Sequence, residues 1–222
     1  MDHRKNWTAQ QALLRKLLRS KEKFEQALLL FLSQHAATHT AAISGVEWSL
    51  EDEILNCLPV ELYRISPKPG VNPVAWLVWH AARIEDISLS WLVLGQPQVL
   101  DVSWSAQLGV PVRDAGTQMP FGEVLQFSQQ VNIPALRAYR AAVGQATRAG
   151  VPRLNAVQLA EVVPDQAIAA LGADGSIPAR AGSLAAYYSQ RTRIFFLTRT
   201  ATSHNFLHLN EAGRLAARLL KG

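Results

Sequence analysis

The sequence predicts an all-α fold, a bundle of four long helices with shorter helices in the connections. Three observations carry this. Apolar residues recur every three to four positions through most of the chain, while alternating apolar–polar runs bounded by turns are scarce. Asn72-Pro73 and Asn132-Ile133-Pro134 are helix starts, because an asparagine cap followed by proline in the first turn presets the helical φ. Ser44-Gly45, Gly95-Gln96-Pro97 and Gly150-Val151-Pro152 are stops.

The first stretch, Trp7 to about Leu18, is amphipathic, with Ala12, Leu13, Leu17 and Leu18 against Arg15, Lys16 and Arg19. A longer apolar run covers Phe24 to Ile43. Ser49 caps a short helix whose first turn holds Glu51, Asp52 and Glu53, where the helix dipole favours carboxylates. After the turn-rich 66–73 comes a helix over about Pro73 to Leu94, roughly 33 Å long at 1.5 Å per residue. Residues 96–119 have no periodicity and read as a long loop carrying Trp104. Short and long helices follow over about Pro120 to Gln130 and Pro134 to Ala149. Loop with a short helix occupies 153–182, and helices over about Ser183 to Leu197 and Ser203 to Leu220 complete the chain.

With 222 residues, 49% of them hydrophobic, the chain is too apolar for a disordered protein and long enough for one core. We read one domain over 1–222, with 1–20 as an amphipathic extension and 150–182 as an irregular connection. The single cysteine, Cys57, excludes a disulfide scaffold, a zinc ribbon and an iron–sulfur cluster. No window of about 18 apolar residues exists, since the best candidate, Val74 to Leu94, contains Arg83, Glu85 and Asp86. Met1 to Asn6 leads into an amphipathic stretch and not into a signal-peptide core, so the expected location is the cytoplasm and no membrane partner is expected. The net charge of +5 permits an anionic partner. Its densest basic cluster, Arg15-Lys16-Arg19-Lys21-Lys23, lacks interleaved aromatics and is followed by no recognition helix, so nucleic acid is not the expected partner.

The histidines are the informative residues. The chain has six, and His35/His39 and His204/His208 both have the spacing H-x3-H. Random placement of six histidines gives roughly 0.16 such pairs. Residues i and i+4 lie one turn apart on one helical face, so two imidazoles there reach one metal ion. Asn205, not glutamate, follows His204, which excludes the helical zinc-protease motif. His35 and His39 near the end of their helix share one end of the bundle with His80 if the two helices are antiparallel. His204 and His208 join them if the last helix runs in the direction of the His80 helix. Three neutral imidazoles with an open water position make a catalytic metal site; the alternative is a set of polar stripes and core histidines.

Asn72-Pro73-Val74-Ala75-Trp76-Leu77-Val78-Trp79-His80-Ala81-Ala82-Arg83-Ile84-Glu85-Asp86 resembles the second-helix signature of the DinB-like superfamily (the DinB/YfiT type). Thr202 to Glu211 resembles its last-helix motif, and Ser49 to Leu58 its segment between the first two helices. The resemblance is best over 35–100 and 183–215 and weak over 1–20 and 150–182. It implies a four-helix bundle with a long connection after the second helix, often a homodimer. It also implies a divalent metal on His80, His204 and His208, the set the spacing reaches independently. Relatives include metal-dependent transferases and isomerases that use a low-molecular-weight thiol such as mycothiol or bacillithiol, so a small-molecule substrate and a thiol are the expected partners. Imidazole ligands suit zinc or nickel, and copper or iron after them. The alternative function is a metal-binding helical sensor or stress-response protein without chemistry.

Four further residues are candidates. Glu211 lies on the face of His204 and His208 and can fix an imidazole tautomer, or is a surface carboxylate. Arg83 can receive an anionic substrate, or pairs with Glu85 or Asp86. Trp76, one turn before His80, can wall the site, or is core. His39 and Glu211 are the candidates for a fourth ligand that would close the metal site. Glu85 and Asp86 fall on a different face from His80 and are poor ligands. Tyr187 and Tyr188 can donate phenolic hydrogen bonds, with core packing favoured. Cys57 has no neighbour that lowers its pKa and reads as a small hydrophobe.

Overall fold

The computed structural model describes residues 2–221, and among these it is helical with no strand, only an isolated bridge between Val162 and Thr192. The helices are α1 (His3–Leu17), α2 (Phe24–Ala36), α3 (Leu50–Leu55), α4 (Val74–Glu85), α5 (Val102–Leu108), α6 (Phe121–Gln130), α7 (Ile133–Gly150), α8 (Ala156–Ala160), α9 (Asp165–Ala173), α10 (Gly182–Tyr188), α11 (Arg193–Thr198) and α12 (His204–Leu219). Two π-helical segments extend this set: Asp86–Val93 prolongs α4, and Arg199–Ser203 joins α11 to α12. No helix among the described residues is long and apolar enough to cross a membrane.

Four rods make the bundle: α2, α4 with its π extension, α7, and α11 running through its π segment into α12. Arg148 and Arg140 of α7 donate to the Leu32 and Thr38 carbonyls, which sets α7 antiparallel to α2. Tyr139 of α7 lies on Trp79 and Gly150 on Leu94, so α7 is parallel to α4. Two successive parallel rods need a long crossing connection, and residues 95–132, with α5 and α6, supply it. Thr200 meets Ser88, Asn205 meets Glu85 and His208 meets His80, so the last rod is antiparallel to α4. The condition set on the last helix from sequence is therefore not met. The imidazoles still converge, because α11 to α12 is one long rod and His204 falls near its middle, opposite the middle of the α4 rod.

Local chemistry explains most boundaries. Ser49 and Asn132 cap α3 and α7 by accepting from Asp52 N and Ala135 N. Helix α4 starts at Val74, with Pro73 in the cap position and Asn72 outside it. The run expected to reach Ile43 ends at Ala36, because Thr38 Oγ1 donates to the His35 carbonyl and Asp52 accepts from Ala41 N, satisfying backbone groups that a longer helix would use. The helix expected over 183–197 is broken: Gln190 has φ 58°, and the chain crosses there to bond Val163 N to Arg191 O and Arg193 N to Glu161 O. Two residues of α1 pack on the last rod. Trp7 stacks on Phe206 at 3.9 Å, and Gln11 donates to Thr198 O and Thr202 Oγ1.

Every residue of α4 is buried. Polar side chains on such a helix must all find partners, and this requirement organises the centre of the molecule. Arg83, Trp79 and His80 donate to the successive carbonyls of Arg113, Asp114 and Ala115, strapping the long connection across α4. Asp86 accepts from Val99 N and Leu100 N, pinning the start of the same connection.

Candidate metal centre

His80 from the middle of α4 meets His204 and His208 from the first two turns of α12. The ring centroids are 5.0 Å (80–204), 4.9 Å (80–208) and 4.4 Å (204–208) apart. One ligand nitrogen from each lies within 4.8 Å of the others, so the group can hold a metal ion. The surrounding acceptors assign the tautomers. His80 Nδ1–H donates to the Ala115 carbonyl at 2.6 Å and His208 Nδ1–H to Glu211 Oε2 at 2.7 Å, which leaves both Nε2 lone pairs free. His208 Nε2 and His204 Nε2 face each other at 3.2 Å. That separation is close to the edge of a tetrahedron built on zinc–nitrogen bonds, about 3.3 Å for bonds of ~2.0–2.1 Å.

The electrostatics keep His80 and His204 neutral. Burial pushes His80 down to about 4, helped by the charge of His208, and burial with the charges of His80 and His208 holds His204 well below its ordinary value. The hydrogen bond from His208 holds Glu211 below the usual carboxylate range. Neutral imidazole is the ligating form. Trp76 stacks on His80 with centroids 4.6 Å apart and planes 7° from parallel, so it walls the site. Gly116 makes the wall fit: its φ is +75°, and a Cβ there would lie 2.7 Å from Trp76 Nε1.

A second group, His35, His39 and Glu85, is fully buried and also compatible by spacing with metal binding. Sequence reasoning placed His35 and His39 with His80; the structure places them beside Glu85, further along α4. Glu85 Oε1 accepts from His35 Nε2 at 2.9 Å and Thr147 Oγ1 at 2.7 Å; Oε2 accepts from His39 Nε2 at 2.9 Å and Asn205 Nδ2 at 2.5 Å. The Nδ1 atoms of both histidines are buried without a partner. Burial pushes His39 down to about 3. Burial works against the Glu85 charge, but His39 and His35 hold its carboxyl well below the usual range.

Of the two readings open for Arg83, the structure shows the ion pair with Asp86, buried and not on the helix surface: the guanidinium is bonded to Asp86 Oδ2, Tyr139 Oη, Gln98 Oε1 and the Arg113 carbonyl. A guanidinium on an all-buried helix takes fixed partners, and here they are the long connection. His39 is not a fourth ligand, because it bonds Glu85, and Glu211 meets Nδ1 of His208, the nitrogen opposite Nε2. Sequence reasoning missed the Ala115 carbonyl, Glu85, Thr147 and Asn205. The signal for Glu85 was available: a carboxylate on the far face of a helix that is apolar all round needs partners there. The basic cluster 15–23 is exposed, and Cys57 is exposed away from the imidazoles.

A cavity of about 190 Å³ opens beside His80 and His204, walled by Ile84 and Leu184 and by residues of α10 and the second π segment.

The sequence pattern of the DinB superfamily matches residues 46–212. The match contains His80, His204, His208 and Glu211 and starts after His35 and His39. No curated protein matches the chain.

Proposed function

The chain belongs to the DinB superfamily, and on that premise we propose that it is a metal-dependent transferase or isomerase acting with a low-molecular-weight thiol, its ion held by His80, His204 and His208. One observation carries the choice of ligands: Nδ1–H of His80 and His208 is tied to oxygen, and the Nε2 atom of His208 meets Nε2 of His204 and no oxygen acceptor, the arrangement that ligating imidazoles require. The group at Glu85 lacks it, since its unpartnered Nδ1 atoms fit histidines that donate from Nε2 to a carboxylate.

When bound, a divalent ion such as zinc or nickel supplies an open position that stabilises a thiolate at neutral pH. The chain's residues fix its surroundings. Ala115 and Glu211 orient two imidazoles, Trp76 excludes water from one side, and the cavity beside His80 and His204 leaves room for a reactant. Both candidate fourth ligands are engaged elsewhere, which favours this reading over a closed, purely structural metal site. Cys57 is remote, so the sulfur must come from outside.

The test incubates metal-loaded protein with glutathione, mycothiol, bacillithiol or coenzyme A and a general electrophile. The expected result is thiol consumption with at least one of them that the His80→Ala variant does not support. Equal rates with all four thiols in both proteins would leave a binding-only protein.

A further inference from the structure

The cavity beside the imidazoles has a chemistry of its own. Tyr188 is 1% exposed and its hydroxyl has no partner; Thr117 Oγ1 and His204 Nδ1 are also buried without one, and all three residues line the same cavity. Burying three polar atoms unpaired costs free energy that a ligand bonded to them removes. Arg199, exposed and in none of the ion pairs among the described residues, also lines this cavity, while Ile84 and Leu184 supply an apolar wall. Burial pushes the Tyr188 phenol upward, so it stays a donor.

We infer that the cavity receives a small monocarboxylate, its charged end on Arg199, its body against Ile84 and Leu184, with hydrogen bonds from Tyr188 and Thr117. One arginine offers one charge and a planar fork of N–H donors that matches a carboxylate. A cavity of about 190 Å³ holds roughly six water volumes, the scale of a short-chain acid. The inference names the substrate class of the site proposed above and rests on that reading only for the ligand's other end, which faces His80 and His204.

Calorimetric titration with 3-mercaptopropionate and its neutral amide tests this. The wild type is expected to bind the acid about tenfold more tightly than the amide, as one charge-assisted hydrogen-bonded contact provides. Arg199→Gln brings the two affinities together. Tyr188→Phe weakens acid binding several-fold while leaving the melting temperature unchanged or raised, because the lost hydroxyl had no protein partner. The acid-to-amide ratio reads this inference, and the change of both affinities on adding zinc reads the metal centre. A ratio that persists without metal dependence sinks the metal reading alone. Equal affinities in the wild type, a ratio untouched by Arg199→Gln, or no binding of either probe would overturn the carboxylate site.

Discussion

Asn205 donates its side-chain amide to Glu85 at 2.5 Å, joining the residue after His204 to the residue five beyond His80. The bond couples the two helices that carry the imidazoles at a point next to both. Glu85 answers four donors in a fully buried setting, so deleting any one leaves a buried acceptor less satisfied. Asn205→Ala is expected to destabilise the protein by about 1–3 kcal/mol, and Glu85→Ala, which strands all four donors, by about 3 kcal/mol or more. Chemical denaturation measures both; a Glu85→Ala protein of wild-type stability would remove this node from the account.

Arg83 holds the long connection in place through the Arg113 carbonyl, two residues before the carbonyl that orients His80. Arg83→Met leaves Asp86 buried without its cation, which costs about 3–5 kcal/mol. At temperatures where the variant stays folded, amide exchange in residues 113–117 is expected to quicken. Exchange there at the wild-type rate would show that the connection needs no such strap.

Glu211 accepts from His208 Nδ1 at 2.7 Å. Glu211→Ala is expected to weaken zinc affinity by about 10- to 100-fold without changing the stoichiometry, the usual consequence of losing a carboxylate behind a ligating imidazole. Competition with a chromophoric chelator gives the affinity, and an unchanged value would return Glu211 to the status of a surface carboxylate.

Acid should destabilise the metal-free protein well above the carboxylate range. His39 has a folded pKa of about 3 against an ordinary value of 6.5, so between those values the unfolded chain binds a proton that the folded one does not. Stability is fully present above 6.5 and falls as pH drops toward 3, by about 1.4 kcal/mol per pH unit for this group. Denaturation midpoints from pH 7 to 4.5 measure the slope, and His39→Gln should make it shallower, leaving the share of His80 and His204. A slope identical in the variant would assign the acid sensitivity to other groups.

The Ser49 and Asn132 caps and the pairing of His204 with His208 were legible in the sequence, because capping and the i, i+4 rule are local, whereas the meeting of His80 with that pair depends on a last rod that runs opposite to the direction expected. What escaped was set by distant partners. The break at Gln190 carries no glycine and depends on residues 161–163 crossing it. The place of His39 depends on Thr38 ending α2 early and on Glu85 waiting across the bundle. Arg83 read as a candidate anion receptor because its partners, Gln98, Arg113 and Tyr139, lie 15 to 56 residues away.

The central claim is that one divalent ion sits on His80, His204 and His208 and not beside Glu85. Metal-to-protein stoichiometry after zinc or nickel loading and desalting tests it directly across three proteins. The account predicts one equivalent in the wild type, none in His204→Ala/His208→Ala, and one in His35→Asn/His39→Gln, whose side chains can still donate to Glu85. One equivalent retained by the first variant and lost by the second would contradict it.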